Sequence, residues 1–167
     1  MPEPSIQEPH EVLLECLEKQ EAEAALKLLA PLSIDEQRRA VDRLSASDRG
    51  ALLQLLPSSD AAELVEHLAE AQAVEVLEDL PAEKAASILH ELSEELGGDL
   101  LREMDSEDSS AILAEVEDAE EQLHLQERVA YDWDTAGGLM DSEIFAFRRG
   151  RTIRDVVTSL SNMAESE

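Results

Sequence analysis

Apolar residues return along this chain at a fixed interval of 24 positions. Residues 56–68 read LPSSDAAELVEHL, residues 80–92 read LPAEKAASILHEL, residues 104–116 read MDSEDSSAILAEV and residues 32–44 read LSIDEQRRAVDRL. Four apolar sets stay in register: Leu32/Leu56/Leu80/Met104, Ala40/Leu64/Ile88/Ile112, Val41/Val65/Leu89/Leu113 and Leu44/Leu68/Leu92/Val116. The stretches between them align too, through Leu28/Leu52/Val76/Leu100 and Leu29/Leu53/Leu77/Leu101. Such a period, uninterrupted over four copies, is the signature of a stacked repeat array. Within each copy the apolar positions sit at helical spacing, so each repeat reads as two short helices around a tight corner.

The corners are legible. Ser33 with Glu36 forms a capping box, and Ser45 with Asp48 a similar pair. Pro57 and Pro81 stand at matching corners, where the start of a helix tolerates proline. Asp105 with Asp108 is expected to cap the corresponding helix of the last copy. Ahead of the repeats, one helix is expected from Glu11 through Leu17 and another over residues 22–30. Helices of about ten residues are not stable alone, because nucleation costs more than so few hydrogen bonds return. They must stack, burying the leucine stripe of one hairpin against the next. Gly97 and Gly98 interrupt a helical stretch at roughly 1 kcal/mol each relative to alanine. They fit either close backbone packing in a looser helix or a point where another surface approaches.

After Val116 the register ends. A charged helix, EDAEEQLHLQERV, leads to Tyr131, Trp133 and the run Asp134-Thr135-Ala136-Gly137-Gly138-Leu139-Met140. The pattern then changes: Phe145 and Phe147 read as a short strand, residues 148–151 as a turn, and Thr152 as the cap of an amphipathic helix over 153–163. A strand, a turn and a helix do not close a core, so this end reads as the opening of an unfinished second domain.

Composition narrows the classes. Of 167 residues 43% are hydrophobic but only 2% aromatic, which suits thin aliphatic helix-on-helix layers. Forty acids against thirteen bases leave a net charge of −27, repelling nucleic acid and anionic lipid and favouring metal ions or basic surfaces. Cys16 is the one cysteine, so neither a disulfide nor a thiolate zinc site is expected; it reads as an inert packed thiol. The acidic, proline-rich start at residues 1–10 is a flexible lead-in unlike a signal or transit peptide. No run approaches the ~18 apolar residues of a membrane span. The expectation is a soluble protein of a reducing cytoplasm.

Catalytic motifs are missing. There is no phosphate-binding glycine loop and no nucleophile elbow. His90-Glu91 opens like a zincin helix, but Glu94 stands where the second histidine is required, so these side chains read as a solvated face. An enzyme is not expected. The carboxylates carry more. Mg²⁺ takes one or two carboxylates plus retained waters, and Glu95 and Asp99 share a helix face at i,i+4, as do Glu63 and His67 one repeat earlier. Chance spacing among forty acids explains such pairs equally well.

The chain resembles the cytoplasmic part of the MgtE-type magnesium channel/transporter family. The resemblance rests on Leu55-Leu56-Pro57 with Ala61-Ala62-Glu63 and Leu68, and on Leu80-Pro81 with Ile88-Leu89 and Glu91-Leu92-Ser93. Above all it rests on Tyr131 followed by Asp134-Thr135-Ala136-Gly137-Gly138-Leu139-Met140. It implies an all-α, right-handed superhelix of α-hairpins over residues 11–130, a linker at 131–140, and the incomplete α/β start of a CBS module at 141–167. Function is implied likewise: a Mg²⁺-sensing domain at the cytoplasmic face of the inner membrane. Its acidic face, bridged by Mg²⁺ to CBS modules, would help close the pore of a dimeric full-length channel. The ligands so implied are Glu63, Glu95 and Asp99, with Glu95 standing where the family usually has aspartate. A fragment with this composition does not itself enter the membrane. The second reading is a structural helical-repeat interaction module, like the flagellar-rotor protein FliG.

Overall fold

The computed structural model describes residues 8–130, 135, 150–154 and 156–157. Among them are ten helices: α1 Pro9–Lys19, α2 Ala22–Leu29, α3 Ile34–Asp42, α4 Ala46–Leu55, α5 Ser58–Glu66, α6 Glu70–Glu78, α7 Ala82–Leu89, α8 Glu94–Glu103, α9 Ser106–Ala114 and α10 Ala119–Ala130. Four of them, α3, α5, α7 and α9, start 24 residues apart, as the apolar register requires. The partners α4, α6 and α8 keep the same interval, and α10 departs from it by one residue, after Val116.

The hairpins stack in two layers. In one, α5 packs on α7 and α7 on α9; in the other, α4 packs on α6, α6 on α8 and α8 on α10. The first hairpin, α1–α2, closes the near end through contacts of α1 with α3 and α4. The four register sets supply the core. Ala40, Leu64, Ile88 and Ile112 are all buried, as are Val41, Val65, Leu89 and Leu113. Leu32, Leu68 and Val116 are only partly covered. Each helix gains stability from its neighbours in the stack, not from its own length.

Two corners form as expected. The Ser33 backbone N–H donates to Glu36 Oε2 at 2.9 Å, completing a capping box, and Asp48 N–H donates to Ser45 Oγ at 3.1 Å. Pro57 and Pro81 occupy the N-cap positions of α5 and α7. The last corner differs. Asp105 is the N-cap of α9, but its side chain makes no capping bond; instead its backbone N–H donates to Glu78 Oε1, at the end of α6, at 2.8 Å. The helix α1 also begins earlier than expected, because Pro9 fits its first position and Glu8 and Glu11 close a reciprocal capping box.

Lys84 fastens adjacent hairpins. Its ammonium donates to the carbonyl of Leu56 at 2.7 Å, where α4 ends, and to Ser58 Oγ at 3.3 Å. Cys16 is a buried free thiol whose pKa burial pushes up, as an inert packed cysteine requires. No helix among the described residues is long and apolar enough to cross a membrane. The expected linker at 131–140, the strand around Phe145 and most of the segment 141–167 lie outside the described residues, as do residues 1–7. One helical turn near Ile153 is described, where the Val156 N–H donates to the Thr152 carbonyl at 3.1 Å.

Candidate metal-binding acidic faces

Glu63 lies exposed on α5, which packs on α4 and α7. Glu95 and Asp99 lie one turn apart on α8, which packs on α6, α9 and α10; Glu95 is exposed and Asp99 half-buried. These three carboxylates do not form one gathered group. Among the described residues, three metal-ligating side chains come together at Glu78, Asp105 and Asp108, whose carboxylate oxygens lie within 4.8 Å of one another. Glu78 closes α6 while Asp105 and Asp108 open α9, so only the stacking of the helices brings them together. The sequence shows Asp105 and Asp108 as a cap pair and carries no mark for Glu78.

The surroundings of Asp99 are the least expected feature. Arg102, one turn along α8, forms a close ion pair with Asp99 Oδ1. Arg128 reaches the same oxygen from α10 at 3.9 Å. Gly98 makes that approach possible. A Cβ on Gly98 would fall 2.8 Å from Arg128 Nε and 2.9 Å from its Cδ, and one on Gly97 would meet Leu125 and Leu89 at 3.6 and 3.7 Å. Gly98 is therefore a seat for α10 itself, the close-packing alternative, while a Cβ on Gly97 would make only ordinary contact. Arg102 was within reach of sequence reasoning as an i,i+3 partner; Arg128 was not.

The histidines tie α10 to the same region. His90, at the C-terminal end of α7, bonds Glu121 of α10 with Nδ1···Oε2 at 2.7 Å, and this partner raises its pKa. His124 of α10 approaches Glu94, in the first turn of α8, at 3.4 Å. Asp118 accepts the backbone N–H groups of Glu121 and Glu120, which hold its pKa down. A cleft of about 750 Å³ opens beside this contact, bordered by Lys84, His90, Glu115 and Glu121. His90 is solvent-exposed, as its half-motif suggested, yet it is not idle: it bridges two helices.

Chemically, Glu95 and Asp99 offer oxygen donors of the kind Mg²⁺ takes, one or two carboxylates with water completing the octahedron, but Asp99 already faces the two guanidiniums of Arg102 and Arg128. Glu63 offers a single exposed carboxylate of the same kind.

Comparison with known proteins places these observations. Residues 32–134 match the family described as MgtE intracellular N domain. A solved structure described as the soluble part of a magnesium transporter is similar with 25% identity and a TM-score of 0.67, covering 95% of this chain and 62% of its own. Another, the cytosolic domain of the Mg²⁺ channel MgtE in complex with ATP, is similar with 29% identity and a TM-score of 0.70, covering 93% and 64%. The chain thus spans less than two thirds of the length of either. No curated protein sequence matches it.

Proposed function

Because the chain belongs to the MgtE intracellular N domain family, we propose that it is the Mg²⁺-sensing regulatory domain of a magnesium channel or transporter. The observation that carries this reading is the family match, which spans the whole repeat array from α3 to α10. The domain acts as a binding module, not an enzyme, on the cytoplasmic side of the membrane. Its helical unit is residues 11–130, followed by a linker at 131–140 and the start of a CBS module at 141–167. In the full-length homodimer its partners are the CBS modules and the transmembrane pore.

The mechanism rests on charge. With a net charge of −27, this domain repels any other acidic surface until a divalent ion stands between them. Glu63 on α5 and the Glu95–Asp99 pair on α8 are the ligands we assign, as two half-sites on the solenoid surface. Their separation suits this role, since each half-site leaves coordination positions for waters and for carboxylates of a facing domain. Rising Mg²⁺ then draws the cytoplasmic parts together and favours the closed pore.

Thermal unfolding against Mg²⁺, from zero to tens of millimolar at matched ionic strength in Na⁺, tests the reading. A native-state ligand raises the unfolding temperature by mass action. The expected result is a Mg²⁺-specific rise that Glu63→Ala/Asp99→Ala reduces. Glu78→Gln/Asp105→Asn, at the gathered acid group, serves as the control pair and leaves the rise intact. A rise equal in Na⁺ counts against the assignment, and a rise abolished only by the control pair relocates the site to the α6–α9 corner.

A further inference from the structure

We propose that Asp99 carries a built-in counter-ion, the Arg102–Arg128 pair, and that Mg²⁺ binding at Asp99 must overcome these two guanidiniums. The inference rests on the reading of Asp99 as a Mg²⁺ ligand and adds what sets its threshold.

The geometry is specific. Both arginines address one oxygen, Asp99 Oδ1, one from within α8 and the other from α10. Asp99 keeps 43% of its side-chain exposure, whereas Arg102 keeps 17% and Arg128 15%. The Nε atoms of both arginines are buried without an acceptor. Asp99 is therefore the ion-pair partner of two poorly solvated cations. A dication bound at this carboxylate either displaces a guanidinium or sits at Oδ2 within a carboxylate's width of both. In the first case a buried positive charge loses its partner. In the second the three cations repel one another where water screens them poorly. Both routes weaken Mg²⁺ binding relative to a bare Glu95–Asp99 pair.

Chain position gives the arrangement a consequence. Arg128 belongs to the last turn of α10, and its side chain lies in the space that Gly98 leaves open. Loss of its hold on Asp99 loosens the end of the helix from which the chain continues toward residue 131. Mg²⁺ and α10 thus compete for one carboxylate, so ion occupancy and the seating of α10 are coupled.

The test is a mutant cycle read by Mg²⁺-dependent unfolding temperature at constant ionic strength, using the full chain, Asp99→Asn, Arg128→Met and Asp99→Asn/Arg128→Met. Methionine keeps much of the aliphatic packing over Gly98 while removing the charge. Arg102→Met is a second route to the same release if Arg128→Met does not fold. The expected result is that Arg128→Met tightens the apparent Mg²⁺ affinity roughly fivefold, the scale of one partly screened ion pair, and that Asp99→Asn cancels the gain. If Asp99→Asn lowers the Mg²⁺ response but neither arginine variant tightens it, the counter-ion proposal is overturned and the ligand assignment stands. If Asp99→Asn leaves the response unchanged, both are overturned. A gain from Arg128→Met that persists in the Asp99→Asn background reflects only the loss of one positive charge from the surface, and also defeats the proposal.

Discussion

Gly50, Gly97 and Gly98 all lie in helices, where glycine is the poorest ordinary former after proline, yet their surroundings differ. At Gly50 an added Cβ meets nothing within 4 Å, so Gly50→Ala is expected to stabilise the protein by about 1 kcal/mol through helix propensity alone. At Gly98 the Cβ would lie within 3.2 Å of three Arg128 atoms, its Cβ among them, so the side chain cannot simply swing its tip away. Gly98→Ala is expected to forfeit that propensity gain and to destabilise by about 1 kcal/mol through the displaced α8–α10 contact. Urea unfolding of the two variants side by side decides this. Equal stabilisation would mean that α10 is not seated as described. The same residue-level logic applies to Asp99: its spacing from Glu95 was legible, while the second arginine facing it came from a distant part of the chain.

At the scale of the element, α10 is the helix to watch. The repeat period stops before it, yet it packs on α8 and α9 and is held by polar contacts that no register predicts. The His90–Glu121 pair makes part of this hold dependent on pH. Glu121 raises the His90 pKa above the ordinary 6.5, so the native state binds this proton more tightly than the unfolded chain. The contribution is complete below 6.5 and fades as pH rises through the raised native value. His90 faces Glu121, Glu91 and Asp118, all acidic, which keeps the direction of the shift consistent. Stability measured between about pH 6 and 8 should fall with rising pH in the parent protein, and Glu121→Gln should flatten that slope. The His90 side chain is 65% exposed, so the slope is expected to be shallow. An unchanged slope in the variant would assign the pH dependence elsewhere.

For the whole molecule the dominant fact is a charge of −27 spread over a solenoid with little depth. Repeat arrays draw stability from nearest-neighbour interfaces, and here each interface joins faces that also carry acids. Several ion pairs relieve this locally, such as Arg49 with Glu75 between α4 and α6 at 3.4 Å. Glu75 stands 24 residues before Asp99, but its arginine lies on the preceding even-numbered helix, whereas Arg128 reaches Asp99 from the following one. General self-repulsion should nevertheless outweigh these few contacts. Raising NaCl from low concentration to about 0.5 M is expected to lift the unfolding temperature by roughly 3–6 °C as the repulsion is screened. A fall would mean that the ion pairs govern stability. This unspecific rise is the baseline above which any Mg²⁺ effect must be read.

The sequence by itself determined the hairpin array. A period that places Leu56, Leu80 and Met104 in one buried set can be satisfied only by equivalent helices stacked on equivalent neighbours, and local caps such as Ser33–Glu36 and Ser45–Asp48 locate the turns. It also showed Glu95 and Asp99 as acids one turn apart, because i,i+4 spacing is a property of one helix, whereas Glu63 came forward as a ligand only through the family resemblance. Only the tertiary structure decided what faces them. Arg128 meets Asp99, and Glu78 meets Asp105 and Asp108, across separations with no helical period. Those encounters depend on how one hairpin is rotated and offset against the next. Local sequence does not encode that rotation; it follows from the shape of the packed core and from the space left open at Gly98.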